Sequence, residues 1–210
     1  MLTMSGSTLL AFALFVFATS ATPGPNNVML LASGVNFGVR ATLPHLLGIS
    51  SGVALMLVAV ALGLSQVFAD APHAYGILRW VGGAYLLYLA LRLALSTGTT
   101  EQDAGRRSRP MGFWSAVAFQ WVNPKAWIMV LGACSSYLPS DSSLAMVAGF
   151  SLLFALINMP SAGMWAVFGQ QLRHFLGEAR RRRQFNIGMA ALLVLSLWPI
   201  LNASAAGAAH

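Results

Sequence analysis

The stretch that decides the fold reads Thr22-Pro23-Gly24-Pro25-Asn26-Asn27, and it lies in the middle of a long apolar segment. Two prolines that flank a glycine cannot continue a helix, because each proline removes a backbone donor and clashes with the preceding turn. A second interruption, Asn123-Pro124-Lys125, divides an apolar segment in the second half of the chain. We call residues 22–27 the first break and residues 123–125 the second break. Each break is predicted to join two half-helices.

The composition predicts that these segments lie in a lipid bilayer. Of the 210 residues, 57% are apolar and only 8% are charged, whereas a soluble domain carries about 25% charged residues. The net charge of +7 lies in short clusters between apolar runs, which indicates membrane topology rather than binding to nucleic acid. No Lys or Arg precedes Arg40, so the first apolar segment lacks the basic start of a signal peptide and is predicted to be retained.

Six apolar stretches are long enough to cross a bilayer, which takes about 20 residues of helix. They are predicted at 6–37, 41–69, 75–95, 112–138, 142–170 and 185–201. The connection at 96–111 is rich in Gly, Thr and Arg and reads as a solvated loop. The chain is therefore predicted to be an all-α integral membrane protein with a first three-helix repeat at 1–95, a cytoplasmic loop at 96–111 and a second three-helix repeat at 112–210.

The basic residues predict an orientation. Loops that connect spans 1–2, 3–4 and 5–6 lie on one side of the membrane, and they or their edges hold ten of the twelve basic residues. These ten are Arg40, Arg92, Arg106, Arg107, Arg109, Arg173, Arg180, Arg181, Arg182 and Arg183. The opposite side holds only Arg79, and Lys125 lies inside span four. Because basic loops stay in the cytoplasm, both termini are predicted to face outward from a bacterial inner membrane.

The two breaks occupy corresponding places in the two halves of the chain. Pro25 and Pro124 are 99 residues apart, and Gly52 and Gly149 are 97 apart. A repeat of three spans makes its second copy enter the membrane upside down, and inverted repeats with broken helices are typical of secondary transporters. Substrate sites in such proteins lie near the midplane, where half-helix N-termini present backbone donors to an anionic group. The alternative is that both breaks are only proline kinks.

Polar residues at the breaks are the candidate substrate-binding residues, because polar groups inside a membrane are costly and usually face a cavity. The candidates are Thr22, Pro23, Gly24, Pro25, Asn26, Asn27, Asn123, Pro124 and Lys125. Lys125 lies about a dozen residues from either end of its span, which is deep for a side chain that reaches the interface by snorkelling. All five acids, Asp70, Glu101, Asp103, Asp141 and Glu178, fall in loops or at span ends. The expected partner of Lys125 is therefore an anionic ligand group or water.

The chain resembles the LysE/RhtB family of amino-acid exporters. The first break is similar to the signature of that family, and the second break is similar to its fourth span. The run at 80–89 resembles the third span, and the stretch at 168–188 resembles the connection between spans five and six. Residues 112–120 look closest to the cysteine and O-acetylserine exporter branch.

This resemblance implies a secondary active exporter of amino acids or close derivatives, driven by proton antiport, without a cofactor or a metal. A homodimer is a candidate assembly. A proton relay would have to use His45, Asp70 or Lys125, because no acid lies within a span. His45 titrates near neutral pH, although its place near the start of span two also fits a position at the membrane interface.

Three other classes of protein compete with an exporter. A membrane conductor of thiol–disulfide electrons needs two cysteines, and Cys134 is the only one in the chain. A membrane enzyme needs a metal cluster or a nucleophile with its base, and no such set is evident. A channel or a non-transporting membrane subunit remains open, because the sequence discriminates poorly between these and a carrier.

Overall fold

The computed structural model describes residues 5–64, 72–96, 109–139 and 141–197, and regular structure within these ranges is helical throughout. The eight α-helices of this described part are α1 Gly6–Ala21, α2 Pro25–Phe37, α3 Val39–Ala59, α4 Pro72–Ala94, α5 Phe113–Val122, α6 Pro124–Tyr137, α7 Leu144–Phe175 and α8 Ala179–Leu195. A π-helical turn, Val60–Leu64, continues α3. Each of the six predicted apolar stretches thus contains one helix or one broken pair of helices.

Three of these units have the length and hydropathy to cross a membrane. Val39–Leu64 and Leu144–Phe175 qualify as single helices, and α1 with α2 qualifies as a pair bent by 60° at the first break. A count of six membrane crossings stays a prediction.

Both breaks occur at the prolines. Thr22 and Asn123 each precede a proline and adopt extended backbone angles, because the ring of a following proline disfavours the helical region. Pro25 and Pro124 then occupy the first position of a new helix, where the missing N–H costs nothing. The prediction of two broken helices is therefore confirmed.

The arginine run at 180–183 differs from the prediction, which placed it in the connection before span six. These residues form the first turns of α8, which begins at Ala179. Hydropathy detects only the apolar part of a helix, whereas arginine is a good helix former. The helix therefore extends beyond its apolar part into the polar region.

Four helices form the centre of the bundle, and backbones approach closely where they cross. α2 packs on α7, and α3 packs on both α5 and α7. A Cβ added to Gly34 would lie 2.2 Å from the carbonyl oxygen of Ala166 on α7, and one added to Gly48 would lie 2.4 Å from that of Phe113 on α5. Gly34 and Gly48 therefore allow these helices to pack in close contact.

Candidate functional site

The two breaks meet through Lys125. Its ammonium donates to the carbonyl oxygen of Thr22, to the hydroxyl of Thr22 at 2.9 Å and to the carbonyl oxygen of Pro23 at 3.3 Å. Gly24 makes room for this side chain, because a Cβ there would lie 2.6 Å from Lys125 Cδ. The sequence-based prediction had an anionic ligand or water as the partner of Lys125, but in this conformation the partners belong to the first break. Carbonyls at the end of a helix carry partial negative charge, so they can bind an ammonium where no acidic side chain is present.

Asn27 binds the same end of α1 from inside the bundle. Its buried side-chain amide donates to the carbonyl oxygens of Ser20 at 2.8 Å and of Thr22 at 2.7 Å. Lipid offers no donor to carbonyls that a helix break frees, so the protein must supply one. Asn27 therefore stabilises the first break, and its amide donors are occupied in this conformation.

Helix α7 supplies two more donors to the end of α1. The hydroxyl of Ser161 donates to the carbonyl oxygen of Phe17 at 3.0 Å, and the indole N–H of Trp165 donates to that of Ala21 at 3.2 Å. These contacts attach the last turn of α1 to a neighbouring helix. The break is thus a defined structure with internal partners for its backbone.

The two new helix N-termini differ in how they are capped. The side-chain oxygen of Asn123 accepts a hydrogen bond from the backbone N–H of Lys125 at 3.1 Å, and it caps α6. The start of α2 has no side-chain cap in the part of the chain that the structure describes. Backbone N–H groups at an uncapped helix N-terminus attract anions. The N–H groups at the start of α2 are therefore more available to a carboxylate than those of α6.

Gln120 joins the site although the sequence analysis did not single it out. Gln120 is fully buried and exchanges two hydrogen bonds with Asn26, of 2.8 Å and 3.2 Å. A Cβ added to Gly52 would lie 2.7 Å from Gln120 Cγ, so Gly52 leaves the space that Gln120 occupies. This amide pair connects the start of α2 to the end of α5, three residues before the second break. A lone polar residue in an apolar run was the available signal, because such residues are costly in a membrane.

A second polar group that the sequence analysis missed lies beside the first break. Asn158 on α7 donates to the Ser20 hydroxyl at 2.8 Å and accepts from the Ser50 hydroxyl at 3.0 Å. All three residues are buried. Small hydroxyl residues are common in membrane helices as packing residues, so Ser20 and Ser50 carried little signal in the sequence.

A cavity between the breaks, which we call the break cavity, has a volume of about 20 Å³. Its lining includes Asn26, Asn27, Asn123, Lys125 and Asn158. A single buried water needs about 10–15 Å³ by this measure. The break cavity therefore holds about one water, and it must widen before an amino acid can enter.

The residues that form the contact between the two breaks differ in exposure. Thr22 and Pro23 are exposed, and Lys125 is partly buried. Asn27 and Asn123, by contrast, are buried. The cluster therefore combines a partly buried cation with buried amides.

Of the two other candidates for proton coupling, only His45 lies within the described residues. His45 is only 1% exposed and lies on α3, one turn before Ile49, which lines the break cavity. His45 is thus buried within the bundle and does not lie on an exposed surface. Asp70 lies outside the described residues. Within the described ranges, no group of three or more His, Cys, Asp and Glu residues could hold a metal ion.

Comparisons with known proteins identify the family of the chain. The family described as "LysE type translocator" matches residues 17–196. The chain is 35% identical over 193 residues to the "Cysteine/O-acetylserine efflux protein" of Escherichia coli (strain K12) and to that of Shigella sonnei (strain Ss046), covering 91% of this chain and 96% of each relative. No solved structure matches it significantly. With two broken helices that meet at a polar centre and a match that covers most of its length, the chain belongs to the LysE family of membrane translocators.

Proposed function

We propose that this protein is a secondary active exporter that carries cysteine, O-acetylserine or a similar small amino acid out of the cell in exchange for protons. The observation that carries the proposal is the direct contact between the two breaks through Lys125 and Thr22. A substrate site between two discontinuous helices is the arrangement of many secondary transporters. The cysteine and O-acetylserine exporters of Escherichia coli, at 35% identity, support the choice of substrate.

The carboxylate of the substrate is proposed to bind at the start of α2, near Lys125. The uncapped N-terminus of α2 offers backbone donors, and the Lys125 ammonium lies beside Gly24, at the same break. In this conformation the ammonium binds carbonyl dipoles of the first break. A full negative charge makes a stronger hydrogen bond to an ammonium than a neutral carbonyl does. The carboxylate can therefore take over part of the coordination of Lys125 when the break cavity widens.

The polar groups of the substrate are proposed to bind the amides around the breaks. Asn27 and Asn123 have occupied hydrogen-bonding atoms that stabilise the backbone, so their contribution is mainly to shape the site. Asn26 differs, because its partner is the side chain of Gln120 rather than backbone. Separating this pair would free amide groups for the substrate without leaving a broken helix end unsatisfied.

The architecture that we propose for transport is two inverted three-helix repeats, at 1–95 and 112–210, connected by a cytoplasmic loop at 96–111. Six crossings with both termini outside would place the ten arginines of the basic loops in the cytoplasm. The proposal follows from the positive-inside rule and from the equivalent placement of Pro25 and Pro124.

Reporter fusions test this orientation. We expect a phosphatase reporter, which is active only outside the cytoplasm, to be active when fused after His210 and inactive when inserted at Gly105. A green fluorescent reporter that folds in the cytoplasm serves as the reciprocal control at both positions. Cytoplasmic fluorescence from the fusion at His210 would show that the proposed orientation is wrong.

Transport of the substrate by a carrier must be distinguished from flow through a channel, which is the alternative function. Proteoliposomes that contain the protein and unlabelled O-acetylserine are diluted into labelled O-acetylserine without a proton gradient. A carrier accumulates label transiently inside by counterflow, whereas a channel only equilibrates it.

Dissipation of the proton gradient tests proton antiport. It should slow net export from cells, whereas counterflow in proteoliposomes should continue. Net export that ignores the proton gradient would contradict antiport.

A further inference from the structure

A second cavity, of about 280 Å³, lies between α2, α3, α4 and the segment that leads into α5. We call it the histidine cavity; its lining includes Ser33 and Ser115, and the residues that matter for its chemistry are His45, Tyr85, Arg92 and Arg109. Arg92 lies shortly before the loop at 96–111, which is proposed to be cytoplasmic, and Arg109 lies within this loop. The histidine cavity is therefore accessible from the proposed cytoplasmic side.

His45 is the unusual group in this cavity. It is 1% exposed, and neither of its ring nitrogens has a hydrogen-bond partner in the described part of the chain. A neutral imidazole carries one donor and one acceptor, and a buried polar group without partners is costly. A polar side chain that is buried, unpartnered and part of a cavity wall indicates that something else binds there.

The histidine cavity is separate from the break cavity but adjoins it. The two share no lining residue. His45 lines the first and Ile49, one turn further along α3, lines the second. The hydrogen-bonded pair of Asn26 and Gln120 lies on α2 and α5, where these helices run from one cavity to the other. Asn26 also lines the break cavity, and Gln120 follows Ser115, which lines the histidine cavity, on the same helix. The amide pair thus connects the linings of the two cavities.

We propose that the histidine cavity is an entry site, in which a zwitterionic amino acid from the cytoplasm binds to His45 before it reaches the breaks. This inference rests on the proposed function. The ammonium of the substrate can donate to the unprotonated nitrogen of His45, and its carboxylate can accept from an arginine at the mouth. Two cationic arginines also favour the approach of a carboxylate.

The same site offers a simple means of exchange with protons. The lone pair of the imidazole can accept a substrate N–H or a proton, but not both at once. The other titratable or charged groups that line the cavity are Tyr85 and Arg92 from α4 and Arg109 before α5, whereas α2 and α8 contribute neutral side chains. Substrate binding in the histidine cavity should therefore weaken as the pH falls through the range in which histidine gains a proton.

Thiol labelling tests whether substrate occupies this cavity. Ser115 lines it and is exposed, so Ser115→Cys in a Cys134→Ala background provides a single reactive thiol. We expect an impermeant maleimide to label this variant in inside-out vesicles, and we expect O-acetylserine, which has no thiol, to slow the labelling. Gln171→Cys is exposed and outside the cavity, and its labelling should not change. Labelling of Ser115→Cys only from the opposite side would overturn the inference.

Substitutions then separate binding at His45 from effects that are transmitted from the breaks. His45→Leu should remove the protection by substrate and raise the KM for export about tenfold, because it deletes a hydrogen bond to a charged group. His45→Gln keeps a donor and an acceptor and should retain most of the protection, whereas His174→Leu, at an exposed histidine, should change nothing. Protection should persist in Lys125→Ala.

Two results would contradict the entry site while leaving the exporter intact. One is full export by the Ser115→Cys protein without any protection by O-acetylserine. The other is protection that survives His45→Leu or disappears in Lys125→Ala. By contrast, a wild-type protein that shows neither export nor counterflow would contradict the proposed function itself.

Discussion

Replacing Lys125 with alanine is expected to lower the export of O-acetylserine by about 10- to 100-fold, the range that corresponds to about 1.5–3 kcal/mol for a hydrogen bond to a charged group. The physical reason is the loss of the cation at the first break, where the structure places the ammonium on the Thr22 hydroxyl and the Pro23 carbonyl. The measurement is the initial rate of labelled export in proteoliposomes, at several substrate concentrations.

The Lys125→Ala protein should still insert and fold. The Thr22 carbonyl keeps its hydrogen bond from Asn27, and removal of a charge from the membrane interior relieves a desolvation cost. Lys125→Arg is the matched variant that keeps the charge. It should also impair export, because a planar guanidinium does not replace a compact ammonium. Wild-type export with an unchanged KM in Lys125→Ala would mean that Lys125 has only a structural role.

Replacing Asn27 with leucine is expected to have the opposite profile, with loss of folded protein rather than of export alone. Leucine has a similar volume but cannot donate to the carbonyl oxygens of Ser20 and Thr22. The Thr22 carbonyl keeps its hydrogen bond from Lys125, whereas the Ser20 carbonyl loses its side-chain donor at a cost of about 1–3 kcal/mol, and lipid cannot compensate. A cost of about 1–3 kcal/mol is a sizeable fraction of the stability of many proteins, which is about 5–15 kcal/mol.

The yield of monodisperse protein in mild detergent and its melting temperature measure this effect. Gln171→Leu removes an amide that is exposed and serves as the control, with a yield close to wild type. An Asn27→Leu protein with normal yield and melting temperature would show that the break does not need this donor.

The features that the sequence predicted well are those that local chemistry fixes. A proline disfavours helical backbone angles in the residue before it, which favours the observed helix ends at Thr22 and Asn123. Pro44 and Pro160 show the limit of this rule, because α3 and α7 continue through them. The breaks differ from these single prolines in their neighbours, a glycine between two prolines in one case and an asparagine before the proline in the other.

The features that the sequence missed depend on contacts between distant segments. Gln120 meets Asn26 across 94 positions, and Asn158 meets Ser20 across 138. No local pattern encodes which polar side chains pair within a bundle. The same reason explains Lys125, whose predicted partner was an anionic ligand group or water because no acid lies within a span. The end of a helix is also an electrostatic partner, but it could be assigned to Lys125 only once the two breaks were seen to meet.

The structure of the protein with O-acetylserine bound tests the central claim most directly, that the two breaks form one substrate site. The prediction is a widened break cavity in which a carboxylate oxygen lies about 3 Å from Lys125 Nζ or from the backbone nitrogen of Asn26 or Asn27. The Asn26–Gln120 pair should have separated or should contact the substrate. The account would be contradicted by a structure in which the substrate binds elsewhere, Lys125 still binds Thr22 and Pro23, and the break cavity is still closed.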